Sequence, residues 1–270
     1  MANGDGINRL QNGVGKVSSR VGAAFIGSHA VFRGKDLHAD LGDATWIDLY
    51  LFGVTGRRFP APVLRLLEAV WTYSSYPDAR IWNNRVAALA GTARSTGNLG
   101  VAAALAVSEA EIYGQGPGYR AIEFIVRLRR ATLAGDDVGS YVELEIKKNR
   151  RVWGYGRPIN GDTDERIAPL LRLAEQLGLS GGPHLRLAFE VEEHLVRTRG
   201  LRINYGAVIA GLSADVGLTP SEHYWLLFPI FLAGMVPCYI DSSQQPEGTL
   251  LPLPCDAVLY TGPPKRSWSG

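Results

Sequence analysis

Two short glycine-rich stretches hold the residues best suited to chemistry. In Glu109-Ala110-Glu111-Ile112-Tyr113-Gly114-Gln115-Gly116, a tyrosine follows an alanine-rich apolar run and precedes a glycine turn. Its hydroxyl can donate a hydrogen bond to a substrate oxygen, a role that competes with plain packing at a helix end. In Gly154-Tyr155-Gly156-Arg157-Pro158, glycines and a proline make a turn that presents the Arg157 side chain. A guanidinium there stabilises a developing oxyanion by charge, but its pKa is far too high for a base. The competing role is a surface salt bridge. Glu109 and Glu111, close to Tyr113 in sequence, are candidate bases, against the ordinary reading of solvated or helix-paired carboxylates. Just before the second turn, Lys147, Lys148, Arg150 and Arg151 form a basic run, which is either a phosphate site or a solvated loop. No Ser–His or Cys–His pairing suggests itself, which disfavours a hydrolase built on a nucleophile.

Composition narrows the classes. A chain of 270 residues, 46% hydrophobic and 20% charged, reads as an ordinary soluble globular protein able to bury a sizeable core. A net charge of +2 gives no global case for nucleic acid or a membrane surface, so any basic site must be local. The first 20 residues are polar and glycine-rich, without the apolar stretch of a leader, and cytoplasmic localisation is the expectation. The apolar run at 225–236, interrupted by Pro229 and Gly234, reads as too short for a membrane span and fits a buried helix. Cys238 and Cys255 have no metal or redox spacing, and a reducing compartment is the simplest setting. His29, His38, His184, His194 and His223 form no HExxH or carboxylate cluster, so no metal is expected. His29 is the one weighed as approaching a site.

The elements that would position these residues are mostly helical. Residues 1–16 read as a mobile tail, and 23–32 as an extended pair. Residues 62–73 carry Val63, Leu66, Leu67 and Val70 at one-face helical spacing. Residues 98–113 are apolar nearly all round, which suits a central helix packed on several neighbours. Residues 119–133 are amphipathic, with Arg120, Arg127, Arg129 and Arg130 on the wet side. Residues 138–148 are helical or extended. Helices are expected at 164–177 behind an acidic cap, at 184–198, at 207–216, and at 221–236 behind Thr219-Pro220. From Asp241 the chain reads as a proline-rich extended tail.

An ordered series of motifs resembles the citrate synthase and short citryl-CoA lyase family, from about residue 32 to 263. Phe32-Arg33-Gly34-Lys35-Asp36 is similar to the family's Tyr-Arg-Gly-Tyr-Asp element. Residues 46–57 resemble a helix ending in Gly-Arg. Trp82-Asn83-Asn84-Arg85 leads to the Tyr113 stretch, then come the Arg157 turn, Asp164-Glu165-Arg166 and Gly200-Leu201-Arg202-Ile203-Asn204-Tyr205-Gly206. The family enolises an acetyl-CoA thioester with a carboxylate and two histidines, and holds oxaloacetate with arginines. By position, Tyr113 and Arg157 stand where the histidines would be, and Gly206 where the carboxylate would be. Arg166 keeps the arginine of an Asp-Pro-Arg segment, and Phe231 replaces a carboxylate-binding arginine. A lost general base costs roughly 10²–10⁴-fold in rate. A phenylalanine in place of an arginine makes that wall apolar, better suited to a monocarboxylate or hydrophobic acyl group than a tricarboxylate.

The resemblance implies an all-α, citrate synthase-like homodimer with a large helical domain (1–113 and 217–270) and a small one (114–216), and an active site between them. It implies Tyr113 and Arg157 as catalytic, and Arg166, Asn204, Gln115 and Phe231 as substrate-binding. Coenzyme A, as thioester substrate or product, falls to Lys147, Lys148, Arg150, Arg151, Gly154 and Gly156, with no metal. Asn83, Asn84 and Arg85 are expected to fix helices and the dimer. The implied activity is carbon–carbon bond making or breaking on an acyl-CoA other than citryl-CoA. The alternative is a catalytically silent homologue that binds CoA or acyl-CoA as a partner subunit or sensor.

Overall fold

The computed structural model describes residues 8–9, 11–15, 17–157, 164–250 and 255–267. Much of the expected 1–16 tail, and Pro158 in the second glycine turn, lie outside the described residues.

The extended pair is a hairpin continued by a third short strand. Gly22–Phe25 (β1) pairs antiparallel with His29–Phe32 (β2), with Ala23 opposite Val31, and β2 pairs with Lys35–Asp36 (β3). The meander docks through Phe32, edge-on to Phe52 with ring centroids 5.8 Å apart, and through Arg33, which donates to the Gly53 carbonyl at 2.9 and 2.7 Å. Trp46–Thr55 (α1) begins where Thr45 accepts from the Asp48 N–H and ends at Gly56 in the left-handed region. Ala61–Ser74 (α2) buries Val63, Leu66, Leu67 and Val70, the stripe read from its spacing.

Among the described residues nine further α-helices follow: Trp82–Thr92 (α3), Gly97–Ser108 (α4), Gln115–Leu133 (α5), Val138–Asn149 (α6), Ile167–Gln176 (α7), Pro183–Arg199 (α8), Tyr205–Asp215 (α9), Pro220–Leu227 (α10) and Leu232–Gln244 (α11). The chain is predominantly α, as expected. The main core gathers Leu66 and Val70 of α2, Ile122, Phe124 and Leu128 of α5, Leu170 of α7, Leu195 of α8, and Val208 and Leu212 of α9. Each such side chain contributes about 1.5–3 kcal/mol by leaving water. α9 is buried all round, so it has no polar face, and α5, α8 and α10 pack against it. A second cluster joins Ile47, Leu51, Leu67 and Leu226, and a third joins Ala87, Ala104 and Met235 where α3, α4 and α11 meet.

Five expectations are corrected. α4 stops at Ser108, and only Gly100, Ala104 and Ser108 are buried; Leu99 is 66% exposed, so the helix lies at the surface. Alanine is as compatible with a bare helix face as with a crowded one, and the composition misled. Residues 221–236 are two helices, because Pro229 removes a backbone donor and the chain turns at 228–231. Taken together, Pro220–Gln244 is long and apolar enough to cross a membrane, though buried over 44% of its most apolar stretch, so the run is not too short by length. Its inward side chains Leu226, Leu227, Ile230 and Met235 sit in the clusters above. Asp164 does not open the helix: α7 starts at Ile167, and Arg166 at its N-cap has no capping bond, while the Asp164 carboxylate accepts from the Tyr205 N–H at the start of α9. Helix α11 runs to Gln244, so the tail begins later than Asp241. Residues 138–149 are helical, settled by Asp137 accepting from the Ser140 N–H.

Candidate functional site

The α4–α5 connection is a tight loop that aims Tyr113. Glu109 bridges Gly114 in antiparallel fashion. Gly114 has φ 80°, and a Cβ there would strike the Ser108 carbonyl oxygen, so no other residue fits. Tyr113 then lies between two rings, 5.7 Å from Phe231 in a stack and 5.3 Å from Trp82. Its hydroxyl donates to Asn83 Oδ1 at 3.0 Å, and Asn83 Nδ2 donates to Ser108 Oγ at 3.1 Å. Asn83 is fully buried, so this is a firm anchor. Burial pushes the Tyr113 phenol up to about 12, against a smaller downward pull from the charge of Arg166. The group therefore stays a neutral donor at ordinary pH.

Arg166, whose charge acts on that phenol, belongs to a second cluster. Its Nε and Nη2 donate to Asp164 at 2.8 and 2.7 Å, and its guanidinium lies over Tyr205 (4.6 Å) and Tyr76 (6.0 Å). Arg157 reaches the same carboxylate at 3.9 Å and donates to Glu165 Oε2 at 3.0 Å. Tyr76 donates to Glu165 Oε1 at 3.2 Å. Burial alone would raise the Asp164 carboxyl, but the hydrogen bonds and charge of Arg166 outweigh it and hold the group below its usual range. Glu165 is lowered by a backbone hydrogen bond and then by Arg157.

The Arg157 turn and the Asn204 stretch are one unit. Tyr155 bridges Ile203, the Asn204 N–H donates to the Gly154 carbonyl at 2.9 Å, and the Gly156 N–H donates to Arg202 at 2.7 Å. The Asn204 amide donates to the Gly156 carbonyl and accepts from the Gly206 N–H, capping α9. Its polar atoms are thus engaged by backbone. Gly154, at φ 93°, lies where a Cβ would sit 2.9 Å from the Ala207 backbone.

Other sequence candidates lie elsewhere. Gln115 is buried; its amide, oriented to suit its neighbours, donates to Glu109 at 2.8 Å and accepts from the Phe228 N–H. Glu109 also accepts from the Tyr224 hydroxyl at 2.8 Å, while Glu111 is exposed. His29 stacks on Phe25 in the hairpin, at the surface. Lys147 and Lys148 project from the last turn of α6, and Arg150 ends it in the left-handed region. Arg151 turns back over Trp153, Cζ to centroid 4.9 Å. Sequence reasoning missed Trp82, Tyr76, Asp164 and Glu165. The only signal was the alternation of acids with Arg157 and Arg166, which reads equally as a solvated face.

No protein-family model matches the chain, and no curated protein matches it. Solved structures do. Citryl-CoA lyase from Hydrogenobacter thermophilus aligns with a TM-score of 0.80 at 21% identity, over 93% of this chain and 97% of that one. ATP citrate lyase from Methanothrix soehngenii, in complex with citrate and coenzyme A, aligns with a TM-score of 0.73 at 18% identity, over 95% of this chain and 44% of that one. Citrate synthase from the archaeon Thermoplasma acidophilum, in a ternary complex with carboxymethyl coenzyme A and oxaloacetate, gives a TM-score of 0.63 at 17% identity, over 84% and 60%. At these identities the likeness is one of fold.

Proposed function

We propose, with a citrate synthase-like fold as the premise, that this chain makes or breaks a carbon–carbon bond next to the thioester of an acyl-CoA other than citryl-CoA. The observation that supports it best is the pairing of Arg157 and Arg166 on the Asp164 carboxylate, with the charge of Arg166 acting on the Tyr113 phenol, which stands in an aromatic wall with Trp82 and Phe231. The wall suits an apolar or monocarboxylate acyl group, and the arginines suit an oxyanion. In the cleavage direction, a β-hydroxyl proton leaves to a base as a carbonyl forms. The carbon–carbon pair moves into the thioester, and the resulting enolate oxygen takes its charge toward Arg157 and a hydrogen bond from Tyr113. Protonation of the enolate carbon then yields the shorter acyl-CoA. Glu165 is the carboxylate beside Arg157 best placed to take the proton, although its lowered pKa makes it a weak base. The small helical domain, 114–216, would carry the CoA, with Lys147, Lys148, Arg150, Arg151, Gly154 and Gly156 nearby.

A second reading has its own support. Asp164 and Glu165 already neutralise both arginines, and the Tyr113 hydroxyl is bonded to Asn83. A site so closed on itself fits a silent homologue that binds acyl-CoA as a companion subunit or sensor. A panel of acyl-CoAs weighted toward apolar and monocarboxylate groups separates the two. For the enzyme, Tyr113→Phe and Arg157→Ala lower turnover at least about tenfold each, since one lost oxyanion donor costs roughly 10²–10³. For the binder, no acyl-CoA turns over and the substitutions alter affinity alone. Acetyl-CoA with oxaloacetate is expected to give no product, and turnover at a rate normal for citrate synthases would refute both.

A further inference from the structure

Tyr119 and Glu123 stand four residues apart on α5 and so share a helix face. With Tyr224 and Trp225 of α10, and Glu109 just before α5, they line a cavity of about 500 Å³ between the two helices. The volume is in the ordinary range for a small-molecule site. Tyr224 stands at right angles to both other rings, 5.2 Å from Trp225 at 86° and 6.4 Å from Tyr119 at 81°. Such a corner presents aromatic surface in more than one direction, which suits a rounded head group better than a flat ring. Trp225 is 46% and Tyr119 37% exposed, so the cavity is open to solvent.

The charges lining it are unbalanced. Glu109 Oε2 accepts from the Tyr224 hydroxyl and from the Gln115 amide, both at 2.8 Å. Both donors are neutral, so the carboxylate is held in place with its charge uncompensated. That bond pushes the Tyr224 phenol up, so the tyrosine stays the donor. Among the described residues Glu123 forms no ion pair. Its cationic neighbour on α5, Arg127, is taken by Glu145 at 3.0 and 3.2 Å. Arg120 also lines the cavity, but its guanidinium lies over Trp153, 5.5 Å from the ring centroid, and Trp153 is no part of the cavity wall. The stem of Arg120 therefore serves the cavity while its charge is spent on another ring.

We propose that this cavity binds an organic cation with an alkylated ammonium head, the head resting against Tyr119, Tyr224 and Trp225 and its charge answered by Glu109 and Glu123. Ring faces attract cations. An alkylated ammonium needs no acceptor of its own, so aromatic surface can replace its water at small cost. A primary ammonium is compact and strongly hydrated, and rings offer it no hydrogen-bond acceptor in exchange. The proposal stands apart from the acyl-CoA reading, because it uses neither Tyr113 nor Arg157 and holds whether the chain catalyses or only binds.

Calorimetry on the full chain tests it, with choline as the probe and its neutral carbon isostere, 3,3-dimethylbutan-1-ol, as the comparison. Choline is expected to bind, more weakly as salt rises, and the alcohol at least about tenfold more weakly than choline. Trp225→Leu keeps apolar bulk but removes the ring; because the site is open, the loss should be about threefold or more. Glu123→Gln should weaken choline about fivefold or more. Arg120→Gln should not weaken it. Circular dichroism of each variant checks folding. No heat with choline, or the alcohol bound as tightly, overturns the proposal. So does a choline affinity unchanged in both Trp225→Leu and Glu123→Gln, which would put the binding elsewhere. Loss of binding in Arg120→Gln would set that guanidinium inside the site and overturn it too, and putrescine, a primary diamine, bound more tightly than choline would overturn the alkylated head.

Discussion

Asp164 is the residue on which the candidate site turns. Its side chain is fully buried, it accepts from Arg166 and from the Tyr205 N–H at 3.0 Å, and Arg157 lies beyond. Removing its charge leaves Arg166 without its counter-ion, while Arg157 keeps Glu165, and a broken buried pair costs about 3–5 kcal/mol. Asp164→Asn is therefore expected to lower the melting temperature sharply, and an unchanged melt would show that the arginines are held by other means. The folded pKa is depressed, so the contribution is complete above the unfolded value of about 3.9 and is lost as pH falls below it. Gly154 makes a second test. Its positive φ and the 2.9 Å approach to Ala207 leave no room for a methyl group. Gly154→Ala should cost about 1–3 kcal/mol and loosen the Asn204 turn, read as a lower denaturation midpoint. A midpoint equal to wild type would mean that the stitched turn adapts freely.

At the scale of elements, α10 carries an unusual burden. His223 is fully buried against Gly118 of α5, and among the described residues neither ring nitrogen has a hydrogen-bond partner. Desolvation pushes its pKa down to about 3. The folded state then admits only the neutral ring, while the unfolded chain binds a proton near pH 6.5. Stability is full above that pH and falls by up to about 1.4 kcal/mol per pH unit from there toward 3. Chemical denaturation between pH 7 and 4.5 should show a steeper decline in wild type than in His223→Leu, and parallel declines would mean that the histidine finds a partner when charged. Such features also mark how far the sequence could be read. Periodicity located α2, α5 and α8 because each has one apolar face and one wet one. It failed where both faces are apolar: α4 and α9 look alike in sequence, yet α4 is largely bare and α9 wholly buried. The two glycine turns were legible as turns, and the structure stacks Tyr113 on Phe231 and brings Arg157 and Arg166 to one carboxylate. Their neutralising partners were not legible, because an acid two residues from an arginine looks the same whether it is buried or solvated.

For the whole molecule, the bare side of α4 is the largest open question that the fold itself raises. Leu99, Ala102, Ala103 and Ala106 are exposed at i, i+3, i+4 and i+7, the spacing of a buried seam, and Val236 and Ile240 of α11 and Ile112 after α4 are exposed too. The inward face of the same helix already rests on α3 and α11. A stripe of alanines with one leucine presents no polar group to water and little bulk to a neighbour, so a second helix can approach closely. We propose that a second copy of the chain supplies it, α4 against α4 about a two-fold axis, because such a face is complementary to itself. The aromatic wall begins close by, since Trp82 opens α3 and Tyr113 follows α4, so pairing would also shield one end of the candidate site. Sedimentation should then show a dimer that Leu99→Glu converts to monomer, since the substitution sets two carboxylates into the seam. Circular dichroism of the variant should remain that of wild type, because Leu99 touches none of the three core clusters. A wild-type chain that sediments as a monomer at every concentration would leave the stripe for a different partner, and a dimer untouched by Leu99→Glu would place the interface on another face.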